Sequence, residues 1–465
     1  MMASGAEEMI RGLMLRARAA QQKVEFAPQE QVDDLTARVA WAVVQPDFAA
    51  RLAETLVAES GMGNVPHKVA KIVNKVKGTF RDMKGRKSVG VVFDDPRAGI
   101  QKVAKPVGVI GAILPVTNGE ATPLVKILGA LKTRNAILLA PHPKARNTCT
   151  MAAEAVRAVL KKRGWPEDLV IAIDPPSIEA STELMRQCDL VLATGGGGLV
   201  QAAHASGTPS YGAGSGNAVC VVDETADLKD AAEKIMRSKT FDYATSCSAE
   251  NALAIQEDIY ERMLRELEAV GGYVVSADEK ARLQAVMWDP VKHVLAREVV
   301  ARPAAAIAKL AGIDLPAGRT FLLAPETGVG LEFPFSQEKL SVTAAVYKWK
   351  TFEDAIALVN RIITFRGAGH SCGIHTADNL RVRELALRVN VSRIMVRQPQ
   401  CLANSGAWTN GMPMTLTLGC GTWGGSISSS NITWEHMLNH TWVSTPIAST
   451  QPTDEELFGA IMKEG

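Results

Sequence analysis

KPVGVIGAILPVTN, residues 105–118, is the stretch on which the fold turns. After Pro106 the run 107–114 is apolar at every position, which suits a strand covered on both faces rather than one with a wet side. It closes on Pro115 and Asn118, where a helix begins. Working outward, the same unit recurs. A helix near 121–131 leads to the strand NAILLA (135–140). A helix carrying Ala152, Val156, Val159 and Leu160 stops at Gly164 and precedes LVIAI (169–173). Another from about Ser177 leads to DLVLAT (189–194), and after the glycines 195–198 and a short helix comes NAVCVV (217–222). Short apolar strands alternating with helices predict the α/β class: a doubly wound, parallel sheet of the nucleotide-binding kind, with its ligand at the carboxyl ends of the strands.

A second alternation begins near residue 227, with ENALAI (250–255) as a strand. The following helix carries Ile259, Met263, Leu267 and Val270 and ends at Gly271 and Gly272. Upstream, 1–87 reads as charged helix, with Leu52, Leu56 and Val57 before a break at Gly61 and Gly63. In 88–104 two strands flank a turn at Asp94, Asp95 and Pro96 and predict a protruding hairpin. The expected division is a dinucleotide-binding domain (1–87 and 105–216), a second α/β domain (217–435), and strands 88–104 with 436–450 set apart. Met9, Ile10, Leu13 and Met14 line one face of a first helix. That face either docks on its own domain, the preferred reading, or serves as a packaging tag.

The 465 residues carry a formal net charge of +2 and no basic block, which argues against nucleic acid or a membrane surface as the main partner. Seven cysteines, an odd number without a CxxC pair, suit free thiols in a reducing, cytoplasmic setting rather than a disulfide framework. The first twenty residues lack the uncharged apolar core of a signal peptide, and no run approaches the roughly twenty apolar residues of a membrane span. No zinc-site spacing and no P-loop occur, so no metal is expected.

Chemistry concentrates in a few places. Cys247, in FDYATSCSAENAL (241–253), sits between serines where little is available to bury it, and a partly exposed thiol beside donors would have a lowered pKa. The alternative is an ordinary semi-exposed cysteine. Cys149, Cys188 and Cys220 read as core, and Cys420 in TLGCGTWGG competes with Cys247. Asn118, at the strand-to-helix junction, either offers its amide to an oxyanion or caps the helix. ATGGGGLV (193–200) and YGAGSGNAV (211–219) let backbone approach a ligand. His142, with Lys144 and Arg146, marks either a cofactor crevice or a solvated turn. His370, in GAGHSCGIHT, is a base or a histidine satisfied within its loop. Four tryptophans between 408 and 442 are read chiefly as core or interface.

Together KPVGVIGAILPVTN, LKTRNAILLAPHPKA, LVLATGGGGLV, GAGSGNAV, SCSAEN, FSQEKLS, GAGHSCGIHT and LTLGCGTWGG resemble the coenzyme A-acylating branch of the aldehyde dehydrogenase superfamily, over about 35–445. The resemblance implies an aldehyde dehydrogenase-like fold whose separate strands serve oligomerisation, giving a homodimer or tetramer. It implies Cys247 as the nucleophile and Asn118, with the Cys247 amide, as the oxyanion donor. It implies Glu338 on the nicotinamide-side ribose and Thr194, Gly195 and Gly196 beside nicotinamide and pyrophosphate. Pro115, Val116, Thr117, Gly212 and, at the adenosine end, His142 complete the binding of NAD or NADP. Trp423 and Gly424 line the substrate entrance.

Hydrolytic members carry a glutamate ahead of paired glycines; no acid occurs between Gln201 and Val222 here, which argues for release to coenzyme A rather than water. Two departures stand out: Val342 where relatives carry proline, and WGGSISSSN without the usual asparagine. NSGAWTNGMPMTLTLGCGTWGG is most similar to members acting on sulfoacetaldehyde. Arg366, Arg397, Asn404 and serines 428–430 are candidate donors to its anionic group. A neutral small aldehyde (acetaldehyde, propanal), succinate semialdehyde, a hydrolytic enzyme with another base, and a non-catalytic nucleotide-binding scaffold remain alternatives.

Overall fold

A computed structural model describes residues 5–463, so the first four residues of the expected first domain lie outside the described residues. Helix Gly5–Gln22 buries Ile10, Met14, Ala17 and Ala20, spaced three and four apart. It packs on strand Ala136–Ala140 and helix Ile178–Gln187, and so docks on its own domain. Helix Pro46–Ser60 stops where Gly61 takes φ +69° and its N–H caps Val57. Helix Val65–Met83 follows, opened by Asn64, whose side chain accepts from the His67 amide. The buried face of this helix is unusual: beside Ile72, Val76 and Met83 it carries Lys68, Lys71 and Lys75.

Strands β1 (Gly90–Asp95) and β2 (Ile100–Pro106) form an antiparallel hairpin whose turn is held by the Asp95 carboxylate accepting from the Arg97 and Ala98 amides. Then come β3 (Val109–Ile113), β4 (Ala136–Ala140), β5 (Val170–Ala172), β6 (Leu190–Thr194) and β7 (Ser210–Ala213). They make a parallel sheet ordered β5-β4-β3-β6-β7, with β3 and β4 buried at every residue. The fifth strand is an addition, because the sequence of 211–219 marks only backbone able to approach a ligand, whereas Ser210–Ala213 pairs with β6. Gly212 is there for packing, since a Cβ would sit 2.5 Å from Val200.

The second sheet is built from β8 (Val219–Val222), β9 (Ala252–Gln256), β10 (Gly272–Val274), β11 (Phe321–Pro325), β12 (Thr343–Trp349), β13 (Cys372–His375) and β14 (Ile394–Val396). All its pairings are parallel, in the order β10-β11-β12-β9-β8-β13-β14. Finally β15 (Leu438–Ser444) pairs antiparallel with β2 to complete a three-stranded sheet exposing Val91, Phe93, Trp442 and Val443. The two parallel sheets have separate cores. Ile432, Trp434 and Met437 belong to the first core, so the chain returns to the first domain before residue 435, earlier than the sequence division placed it. Among the described residues no helix is long and apolar enough to cross a membrane.

Candidate active site

A cavity of about 1000 Å³ opens where the two cores meet. One side is the carboxyl ends of the first sheet: 115–118 after β3, His142 after β4, 194–196 after β6 and 213–215 after β7. The other side is Lys71, Asn74 and Lys75 from helix Val65–Met83, Lys234 and Arg237 from helix Leu228–Thr240, and the segments 397–399 and 405–409. Cys247 joins the two. Its carbonyl oxygen lies so close to Gly216 that a Cβ there would be 2.0 Å away, while Thr245 reaches Lys71.

The turn leading to Cys247 is made of Asp242, Tyr243 and Ala244, all with positive φ (50°, 51° and 61°). Three such residues in a row cost on the order of 1–3 kcal/mol each and need outside support. Asp242 supplies it: its carboxylate accepts from the Asn64 amide (2.9 Å), Lys68 (3.1 Å), Lys71 (2.6 Å) and Thr245 Oγ1 (2.7 Å). Its own N–H donates to His67 Nδ1 at 2.9 Å.

The Cys247 Sγ lies 3.0 Å from His370 Nε2, so the histidine that the sequence left undecided stands against the candidate nucleophile. His370 Nδ1 faces Ser371 Oγ at 2.9 Å, and the His370 carbonyl accepts from Arg393 at 2.9 Å. The loop fits there because Gly369, at φ +77°, leaves no room for a Cβ against the Cys420 carbonyl. Cys247 is half-buried in the cavity wall, and its surroundings do not favour a lowered thiol pKa. Burial pushes Cys247 well above the usual thiol range, Glu338 adds to this, and the nearby Arg393 opposes it only in part. Burial also pushes His370 down to about 3. Both shifts favour neutral thiol and neutral imidazole, and the imidazole accepts from the thiol in the tautomer that leaves Nε2 without its hydrogen. Cys149, Cys188 and Cys220 are core, and Cys420 is buried outside the cavity wall. Cys401, which nothing in the sequence marked, is part of that wall.

Asn118 does not cap its helix. Helix Thr122–Lys132 is preceded by Ala121, and the Asn118 Oδ1 instead accepts from Lys71 Nζ at 2.7 Å. Lys71 thereby uses its three donors on Asn118, Asp242 and Thr245. Lys68 reaches the Thr117 carbonyl at 3.1 Å, and Glu120 lies 3.3 Å from Lys71 and 3.6 Å from Lys68. Two buried cations thus balance two buried anions across three chain segments, as buried charge requires. Burial alone would push Lys71 down, yet Asp242 and Glu120 hold it above the ordinary lysine value; Asp242, against its own desolvation, is drawn to about 2. With Lys71 fixed on Oδ1, the amide's Nδ2 donates one N–H to Thr117 Oγ1 at 3.5 Å and keeps the second for the cavity it lines.

Glu338 is the single acidic residue of the wall among the described residues. Its Oε1 accepts from the Gly216 amide at 3.0 Å, and burial raises it to about 8 even though Gly216 and Ser215 donate to it. Thr194 Oγ1 accepts from the buried Lys126 at 3.0 Å. Helix Gly197–Ala205 opens beside it, and a Cβ on Gly196, Gly197 or Gly198 would meet nothing within 4 Å, so bare amides border open space. His142 is in the wall with Nδ1 accepting from the Lys144 amide; Arg146 is held by Asp174. Pro115, Val116, Thr117, Gly195 and Gly196 are wall residues, whereas Gly212 is not.

Trp423, 48% exposed, and Gly424, packed on Cys420, are outside the wall, and Trp408 stands in it instead, its Nε1 donating to Asn74. Of the candidate donors for an anionic group only Arg397 reaches the cavity; Arg366, the buried Asn404 and serines 428–430 do not.

Residues 2–309 match the aldehyde dehydrogenase family, and the chain belongs to that family. It is 43% identical over 462 residues to the sulfoacetaldehyde dehydrogenase of an Acholeplasma species, covering 98% of this chain and 95% of that protein. It is likewise 43% identical over 460 residues to the acylating sulfoacetaldehyde dehydrogenase of Cupriavidus necator, covering 98% and 93%. Among solved structures, the acetylating aldehyde dehydrogenase from Geobacillus thermoglucosidasius superimposes with a TM-score of 0.92 at 35% identity, over 96% of this chain and 98% of that one.

Proposed function

We propose that this protein oxidises sulfoacetaldehyde to its acyl-coenzyme A thioester with NAD or NADP as acceptor. The observation that carries the reading is a thiol hydrogen-bonded to a neutral imidazole in a cavity whose one acid, Glu338, is already engaged by Gly216 and Ser215. No free carboxylate is at hand to activate water, so a thiol is the natural acceptor of the acyl group. The 43% identity to two sulfoacetaldehyde dehydrogenases supports the substrate.

Cys247 Sγ attacks the carbonyl carbon as its proton passes to His370 Nε2. The oxyanion accepts hydrogen bonds from Asn118 Nδ2 and the Cys247 N–H, the first aimed by Lys71. Gly195 and Gly196, ahead of helix Gly197–Ala205, fit a pyrophosphate and Glu338 fits ribose hydroxyls. A nicotinamide held there supplies the two-electron acceptor for the aldehyde hydrogen. His370, having released the first proton to solvent, takes that of the coenzyme A thiol. The new thiolate attacks the thioester, and Cys247 leaves and regains a proton from His370.

Exposed Val91, Phe93, Trp442 and Val443 on the three-stranded sheet support self-association into a dimer or tetramer. Seven free cysteines suit a cytoplasmic setting. The test is absorbance at 340 nm with sulfoacetaldehyde, each cofactor, with and without coenzyme A, beside Cys247→Ala. Coenzyme A-dependent reduction lost in the variant is expected. Sustained turnover without coenzyme A would refute the acylating reading, and turnover of neutral aldehydes alone would refute the substrate.

A further inference from the structure

Three lysines share the buried face of helix Val65–Met83, but only two have counter-ions. Lys68 and Lys71 are matched by Asp242 and Glu120. Lys75, 8% exposed and one turn further along, is within ion-pair distance of no carboxylate among the described residues. Its Nζ donates to the Ser405 carbonyl (2.9 Å) and the Gly406 carbonyl (2.8 Å), with Met414 Sδ at 3.8 Å. Ser405, Gly406 and Lys75 itself are all in the cavity wall. A buried ammonium held by two carbonyls and no anion is costly unless an anion arrives.

The surroundings agree on the sign of the missing charge. Glu338 is tied into the sheet side, and the helix side adds Lys234, Arg237 and Arg397 to Lys75. Lys234 is paired with Asp230, and Arg397 donates to the Thr376 carbonyl; Arg237 has no partner among the described residues. Lys75 follows Lys71 by one helical turn, Lys71 holds Asn118, and Lys75, Asn118 and Cys247 line the same cavity, so an anion at Lys75 shares one wall with an aldehyde at the thiol.

We propose that Lys75 is the specificity-determining residue that receives the anionic group, a sulfonate, of the aldehyde substrate. This rests on the function proposed above, whose failure is read separately below. The charged groups facing Lys75 are Lys71 and Asp82 from its own helix and Cys401 from the segment opposite. Burial pushes Lys75 down to about 7, beyond what Cys401 and Asp82 restore. A sulfonate is anionic at every working pH. Its binding therefore follows the charge on Lys75, being full below about pH 7 and falling as pH rises above it, while a neutral aldehyde shows no such loss.

The test compares wild type, Lys75→Met and Lys75→Arg, each checked for thermal melting, with sulfoacetaldehyde and propanal at saturating cofactor and coenzyme A. One charge-assisted hydrogen bond predicts that Lys75→Met raises KM for sulfoacetaldehyde about 10- to 100-fold, with kcat changed less than about 3-fold and propanal unaffected, and that Lys75→Arg recovers part of the loss. Equal losses on both aldehydes, or none on either, would overturn the proposal. Calorimetric titration with ethanesulfonate needs no turnover and so decides the site even if sulfoacetaldehyde is not oxidised. Binding by wild type that weakens at least about 10-fold in Lys75→Met upholds it. No binding, or equal binding by both proteins, refutes it.

Discussion

Replacing His370 by glutamine keeps most of the volume and a hydrogen-bonding tip but removes the imidazole that stands against Cys247. The pair rests neutral, with the thiol pushed up by burial and the imidazole down to about 3. The thiolate is therefore not stored in the resting enzyme but has to form as sulfur meets the carbonyl. Loss of a positioned base costs typically about 10²–10⁴ in rate. Because so little thiolate forms spontaneously at Cys247, a loss in the upper part of that range is expected, about 4–5 kcal/mol at 1.36 kcal/mol per decade. The assay is the single-turnover burst at 340 nm, followed from pH 6 to 10 for wild type and variant. The variant's logarithmic rate should climb by about one per pH unit as hydroxide replaces the base, so the gap closes toward high pH. His370→Ala, which also opens a cavity beside Ser371, should match it kinetically while melting lower. A drop below about 5-fold, or a gap that does not change with pH, would refute the neutral-pair mechanism.

Lys71→Met should lower kcat about 10²–10³-fold with KM little altered, because Asn118 loses the bond that aims its amide; Asn118→Ala should cost the same, and the double variant no more than either. The same Lys71 change leaves Asp242 and Glu120 with one cation, so thermal unfolding should show a loss of about 3–5 kcal/mol that Asn118→Ala lacks. His375 is buried and pushed down from 6.5 to about 4 by desolvation and by Lys234. Between those values the unfolded chain binds the proton that the folded chain refuses, so stability falls as pH drops from about 6.5 toward 4. For this residue the loss is about 3 kcal/mol. His375→Gln should flatten the melting temperature across that window relative to wild type.

The first sheet was legible because strands covered on both faces must be apolar throughout; 107–114, 135–140 and 189–194 could be little else. Strand β7 was not, because it is only four residues long and opens a stretch punctuated by glycines 212, 214 and 216, so pairing with β6 rather than local pattern defines it. The short strands β10 and β11 and the terminal helix Asp454–Met462 also went unread. They are three, five and nine residues long, and pairing or a local capping box defines them rather than periodicity.

At the site, sequence order alone marked Cys247, Asn118 and Glu338, since motif spacing survives in one dimension. It marked His370 without assigning it, because the 3.0 Å contact to Cys247 bridges 123 residues. Lys71 and Lys75 lay unmarked in a stretch read only as charged helix, and the opposing segments 242–245 and 405–406 turn their face inward. The direction of the Cys247 pKa was likewise decided by packing. A thiol between serines reads as exposed, but desolvation depends on what folds over it, which no neighbour in the chain records. The sequence by itself determined the long apolar strands, their order along the chain and the candidate nucleophile, because apolar pattern and motif spacing are local. The tertiary structure decided which groups face that candidate and which buried charges are paired, because charge interactions act through space and depend on burial.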